Sequence, residues 1–265
     1  MVMRKSEEKA RLTSFLLGRK CVFCGSYRLW RTRRGYLKCR KCKRQKARGI
    51  LKRELNIIVG FHQQIPANRL AMALGFNYRT VERVYRKLRE IIYHVCEREG
   101  ARLSGEIEID DAYFGGRRKG NRGRGAAAKS VVLGLLERDG RVYTKVVYSL
   151  KARSLMQIIQ KRSRKGSVYF TDSFKSYSSL KKFGKHLTIN HLKVFASKST
   201  REKYRSHING IEGFWSFAKH GLYQYRGVSR TNFPLYLKEM EYRFNHRKEN
   251  LLKNLINLYF GYIYT

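Results

Sequence analysis

Acidic residues are what this sequence lacks. It sets 19 Asp and Glu against 59 Lys and Arg, a net charge of +40 over 265 residues, where solubility alone asks a magnitude of about 2–8 of a small domain. An imbalance of that size disfavours cationic partners and points to a polyanion. Long apolar runs are missing too. Nothing approaches the roughly 18 residues that a spanning helix needs, and Met1-Val2-Met3-Arg4-Lys5-Ser6-Glu7-Glu8 has none of the apolar stretch of a signal peptide. Of the two common polyanions, nucleic acid is therefore expected over a membrane surface, and a cytoplasmic location with it. An even set of cysteines is also absent: five, without an export signal, fit reduced thiols rather than a disulfide framework. Large side chains are plentiful, with 42% apolar and 13% aromatic residues, which excludes a disordered basic tail. The length suits one large domain or two modest ones.

Four cysteines have metal-ligand spacing. Cys21-Val22-Phe23-Cys24-Gly25 and Cys39-Arg40-Lys41-Cys42 form two C-x2-C pairs separated by fourteen residues. Each pair points two thiolates at one tetrahedral ion, Gly25 permits the turn after the first, and the gap suits a short hairpin. Zn2+ on Cys21, Cys24, Cys39 and Cys42 is expected, in a zinc ribbon within residues 1–50. Cys96, alone on a predicted helix, reads as a packing residue. From Cys21 to Arg48 there are eleven Lys or Arg and no acid, with Tyr27, Trp30 and Tyr36 interleaved, a composition that should sit on phosphates. Residues 51–98 read as a helix followed by helix-turn-helix. Ala71 allows a close crossing, Gly75 takes the turn, Asn77 caps the second helix, and Val81, Val84 and Leu88 make its apolar stripe. Arg79, Arg83, Arg86 and Lys87 are left for DNA.

Beyond Gly100 the periodicity becomes that of strands. Glu106 to Asp110 alternates, and Ser130–Arg138 and Arg141–Ser149 are joined through Asp139-Gly140, a hairpin turn. A helix over 152–164, a buried strand 167–171, a helix over 174–183 and a short strand 187–189 follow. The order β-β-β-α-β-α-β-α over 104–250 is that of an RNase H-like fold, a mixed α/β domain. The chain has four Asp. Asp139 is explained by its turn, Asp110 is expected to end the first strand, Asp172 the fourth, and Glu212 to open a later helix. Those strands are neighbours in such a sheet, so the three carboxylates would cluster. In so basic a protein, facing DNA, they call for divalent cations between them. Hard oxygen ligands suit Mg2+, or Mn2+, in a two-metal arrangement on Asp110, Asp172 and Glu212. Glu106, Glu108 and Asp110 alternate against Ile107 and Ile109; with the isoleucines in the core Asp111 points inward and Asp110 is the ligand, unless a bulge exchanges them.

The runs Ile109-Asp110-Asp111-Ala112-Tyr113-Phe114-Gly115-Gly116, Tyr169-Phe170-Thr171-Asp172, His207-Ile208-Asn209-Gly210-Ile211-Glu212-Gly213-Phe214-Trp215 and Tyr242-Arg243-Phe244-Asn245-His246-Arg247 resemble the bacterial insertion-sequence transposases of the ISXO-two-like group, and the resemblance extends over most of residues 21–248. It implies DDE-type DNA strand transfer at terminal inverted repeats, with Asp110, Asp172 and Glu212 as the acids and Lys219, seven residues after the third, as their basic partner. The family's first acid is usually followed by Glu-Thr, and here Asp111-Ala112 stands in that place. Lys219 lies about 10.5 Å along the helix from Glu212 on nearly one face, where it can hold a phosphate. Trp215 reads as core or as a base-stacking ring. Arg117, Arg118, Lys119, Arg122 and Arg124 form a glycine-rich, DNA-clamping loop. Residues 251–265, an apolar tail, suit core packing or a subunit contact equally. A homodimer or higher oligomer on double-stranded DNA is implied. The rival readings are a structure-selective nuclease on the same fold and a zinc-ribbon regulator with an inactive catalytic domain.

Overall fold

The computed structural model describes residues 21, 24, 26–34, 36–99, 102–115, 129–138, 140–189, 207–225 and 227–264. The basic loop with Arg117, Arg118, Lys119, Arg122 and Arg124 lies outside them. The chain divides into two compact units, Met1–Ile92 with His246–Thr265, and Tyr93–Asn245.

Among the described residues the first unit has a three-stranded antiparallel sheet, β1 (Leu29–Arg31), β2 (Tyr36–Cys39) and β3 (Gln45–Ala47). Helix α1 (Arg48–His62) follows and buries Leu51, Leu55, Ile58 and Phe61. The C-terminal helix α7 (Leu251–Tyr264) packs against it and buries Leu252, Leu255, Ile256, Tyr259 and Phe260. Of the two expectations for this apolar segment, core packing therefore accounts for its buried side. Helix α2 (Ala67–Leu74) ends at Gly75, whose φ of 65° is the left-handed conformation that glycine tolerates. Asn77 Oδ1 accepts the backbone N–H of Arg79 at 2.8 Å and so caps α3 (Tyr78–Glu99). Gly60 lets α1 and α2 approach, since a Cβ there would stand 2.4 Å from Leu70 Cδ2.

The second unit is built on a five-stranded sheet of order β6-β5-β4-β7-β8, comprising β4 (Glu106–Phe114), β5 (Ser130–Glu137), β6 (Val142–Val147), β7 (Val168–Thr171) and β8 (Lys185–Thr188). The first three pair antiparallel, and β7 joins β4, then β8 joins β7, in parallel. This order, with a helix α4 (Ala152–Arg162) in the crossover from β6 to β7, is the RNase H-like topology. One face carries Ile107, Ile109, Leu133 and Leu135 against Leu155, Ile159, Tyr177 and Leu180. The other carries Ala112, Phe114, Val132 and Phe170 against α5 (Asn209–Leu222) and α6 (Phe233–Asn245).

Two expectations need correction. Asp110 does not end its strand: β4 runs four residues further, because β5 pairs with it as far as Phe114. The helix expected over 174–183 is a 3-10 helix, Lys175–Lys182, closed by i to i+3 bonds such as Tyr177 N–H to Phe174 O. Its three serines and tyrosine have little α propensity to oppose that. Along β4, Ile107, Glu108 and Ile109 are all buried.

Candidate functional site

The register of the parallel pair sets the acids. Glu106, Ile107 and Glu108 lie opposite Val168, Tyr169 and Phe170, and two further residues along each strand bring Asp110 level with Asp172. There β7 stops while β4 continues with β5 alone, so the strands part at the carboxyl end of the parallel pair. This is the switch point where open α/β sheets form a crevice. The period of two puts Asp110 on the α5 face, with Glu108 and Ala112. Asp111 goes to the opposite face, where Tyr177 Oη donates to its Oδ1 at 3.4 Å. The Asp110 carboxyl is pushed up to about 6 by burial first, and then by the charges of Asp111 and Asp172, against the Asp111 N–H and the Trp215 indole. Burial and the same three carboxylates also raise the Tyr177 hydroxyl. Three acids thus share one field, and a cation is the group that would relieve it.

Helix α5 lies along β4 and reaches Asp110 through Trp215, whose Nε1 donates to Oδ2 at 3.1 Å. Trp215 is 4% exposed, so it is a core side chain gripping the carboxylate, and the base-stacking alternative falls. Its ring occupies space left by Gly134, the cross-strand partner of Asp110, where a Cβ would meet Trp215 Cζ2 at 2.5 Å. Glu212 stands in the first turn of α5, exposed, one turn before Trp215. Lys219 is two turns further on, its Nζ 5.9 Å from the ring centre of Phe114.

A pair that sequence reasoning missed ties these elements together. Glu108, 1% exposed, accepts the Ile211 N–H at the start of α5 at 2.9 Å and the Arg138 Nε–H at 3.0 Å. Arg138 also donates to Glu106 and to the His207 carbonyl, and it stacks 3.7 Å from the centre of the Phe170 ring. Each contact falls one or two residues before an acid: Glu108 before Asp110, Phe170 before Asp172, Ile211 before Glu212. No sequence signal marked this pair, because alternation puts Glu108 opposite the buried Ile107 and Ile109, and it is α5 that covers that side.

In the first unit the four thiols of Cys21, Cys24, Cys39 and Cys42 lie within 4.8 Å of one another. The pairs Cys21–Cys42 and Cys24–Cys39 are both 3.6 Å apart, close to the edge of about 3.8 Å of a tetrahedron with Zn–S bonds of about 2.3 Å. The backbone N–H of Cys42, with that of Lys41 and the adjoining thiols, holds the Cys39 thiol down at about 6 against its burial, which favours the thiolate a metal needs. Lys43, the counterpart of Gly25 after the second pair, takes the left-handed φ of 63°. On α3, Arg79, Arg83 and Arg86 are exposed at helical spacing and Lys87 is half-buried. Glu90 pairs with Arg86 at 3.3 Å and with Lys87 at 3.7 Å.

Among the described residues no helix is long and apolar enough to cross a membrane. An "Uncharacterized transposase-like protein" of Haemophilus influenzae is 37% identical over 122 residues, 44% of this chain and 94% of that protein. Among solved structures, the Mos1 transposase paired-end complex with left transposon end aligns at 13% identity and a TM-score of 0.25 over 77% of this chain and 78% of that one. The pre-cleavage Mos1 transpososome aligns at 11% and 0.24 over 77% of each. The ISXO2-like transposase domain matches residues 102–245. That span is the sheet, the crevice between β4 and β7 and the helices α5 and α6 described above, and the chain belongs to this family of insertion-sequence transposases.

Proposed function

We propose that the chain binds the terminal inverted repeats of its element through residues 1–98, cuts a phosphodiester there to free a 3′-hydroxyl, and joins that hydroxyl to target DNA. The observation that carries this reading is the register: Asp110 and Asp172 stand level at the parting of β4 and β7, and Trp215 fastens the helix of Glu212 to Asp110. The crowding that raises the Asp110 carboxyl fits a divalent-cation site of hard oxygen donors. Asp110, Asp172 and Glu212 would hold Mg2+ or Mn2+, which when bound activates the attacking hydroxyl and offsets charge on the leaving oxygen. The residues do the rest. Lys219 holds a backbone phosphate beside the acids, Trp215 keeps Asp110 oriented, and no side chain serves as nucleophile. Zn2+ on the four thiols holds the ribbon folded, Arg79, Arg83, Arg86 and Lys87 contact the duplex, and the basic loop with Arg117, Arg118, Lys119, Arg122 and Arg124 clamps it. The protein works in the cytoplasm on the nucleoid, as a homodimer or higher oligomer, because two element ends must be held together.

The test incubates purified protein with element-end DNA and a plasmid, with and without Mg2+, and sequences joined products. Asp110→Asn, Asp172→Asn and Glu212→Gln should each abolish cleavage and joining while end binding persists, and Lys219→Ala should slow the reaction less. Cleavage without joining in the wild type would select a nuclease instead. Retention of cleavage by all three amide variants removes the metal-carboxylate mechanism.

A further inference from the structure

The ribbon sheet has two unlike faces. Pairing of Leu29 with Cys39 and of Arg31 with Leu37 puts these four on the side of the thiol cluster. Pairing of Trp30 with Lys38, and of Lys38 with Gln45, puts Trp30, Tyr36, Lys38 and Gln45 on the other. That outer face is not core: Trp30 is 44% exposed and Tyr36 36%. The two rings occupy diagonal positions, about 7–8 Å apart in such a ladder, far enough to receive separate bases. Lys38 Nζ lies 5.8 Å from the centre of the Trp30 ring, at the outer limit of a cation–π contact. The segment from Cys21 to Arg48 that contains these rings has eleven cations and no acid.

We propose that this outer face is a stacking platform for an unpaired DNA strand. Duplex DNA satisfies the cations but not the rings, because base pairing hides the base faces and offers only edges in the grooves. A single strand satisfies both: its phosphates neutralise the basic rim, and each base presents a π-face to an aromatic ring whatever its identity. An acidic protein would meet the charge with no use for flat, separated rings. Unpaired strands arise at a site where one strand is cut and its end transferred, so the proposal rests on the transposase reading for the source of its ligand.

The chain has two tryptophans, and Trp215 is 4% exposed, so fluorescence quenching by DNA reports Trp30. Zinc-loaded full-length protein is titrated with a thymidine oligonucleotide and, separately, with a duplex of equal charge. Quenching by the single strand is expected, and Trp30→Phe should abolish it while retaining affinity, because the ring is kept. Trp30→Ala and Tyr36→Ala should each weaken single-strand binding by roughly tenfold, the worth of one stacked base. Their salt slope and duplex affinity should not change, because no phosphate contact is lost. Zinc content of each variant verifies that the ribbon is intact. The platform is overturned if saturating oligonucleotide leaves the fluorescence unquenched, or if both alanine variants bind the single strand like the wild type. Equal weakening towards both DNAs with a shallower salt slope overturns it in favour of phosphate contact. Duplex binding with no single-strand binding sinks the platform and leaves the transposase reading standing, whereas a wild type that binds neither DNA sinks that reading as well.

Discussion

Asp110 carries opposed demands. As a ligand it must be ionised, yet burial and two neighbouring carboxylates push it from 3.8 to about 6. Between those values the folded chain binds more protons than the unfolded one, so the metal-free protein loses stability as pH rises from about 4 to about 6, and the loss persists at pH 7. At 1.36 kcal/mol per unit this amounts to at most about 3 kcal/mol, less whatever solvent reaches the half-buried carboxyl. Asp110→Asn should therefore raise the metal-free melting temperature at neutral pH and flatten its pH dependence, while removing activity, because the amide oxygen still accepts the Trp215 N–H. Thermal melts of both proteins between pH 4 and 7.5 check this, and parallel curves would count against it. The side of the strand on which Asp110 falls was legible, because a period of two leaves it no choice once Ile107 and Ile109 are buried. The thiol set was legible from spacing. The Trp215 contact was not, because it depends on a helix 105 residues away and on the missing side chain of Gly134. Gly134→Ala should cost about 1–3 kcal/mol in urea unfolding by pressing the ring off the sheet.

Among the elements, the start of α5 matters most, because the helix has no side-chain cap of its own and takes Glu108 from β4 instead. Gly210 makes room for that approach: a Cβ there would meet Glu108 Oε2 at 2.8 Å. A buried carboxylate needs its cation, and Arg138 supplies it. Arg138→Gln should destabilise by about 3–5 kcal/mol, the usual cost of stranding a buried charge. Glu108→Gln with Arg138→Gln should cost less than the sum of the two single changes. Urea unfolding of the four proteins measures it; additive costs would mean that the residues do not act as a pair. Element type and order were readable from periodicity and turn residues. The full length of β4 was not, because its last four residues are held by pairing with β5 rather than by their own alternation. The Arg138–Glu108 pair was not either, since the hairpin register decides it.

Over the whole molecule, the folding units do not follow the order of the chain. The segment His246–Thr265 belongs with Met1–Ile92, and α7 buries Leu252, Leu255, Ile256, Tyr259 and Phe260 in the unit that contains α1. Periodicity shows that such a helix is apolar but cannot name the helix it covers, which lies about two hundred residues earlier. Cutting at residue 98 removes α1 and would bare five large side chains, each worth about 1.5–3 kcal/mol of burial. It also removes Glu97, whose carboxylate pairs with Arg162 at 2.6 Å and with the buried Lys238 at 3.1 Å. A fragment of residues 99–265 should therefore bind a hydrophobic dye and melt broadly. A fragment of residues 93–245 keeps Glu97, both faces of the sheet and every acid of the candidate site, and it sheds the helix that would be left without a partner. It should melt in one cooperative transition without binding the dye, and should retain weak, salt-sensitive DNA binding from its own positive charge. Calorimetry and dye binding on the two fragments decide the matter: similar behaviour in both would mean that α7 does not depend on α1 for its burial.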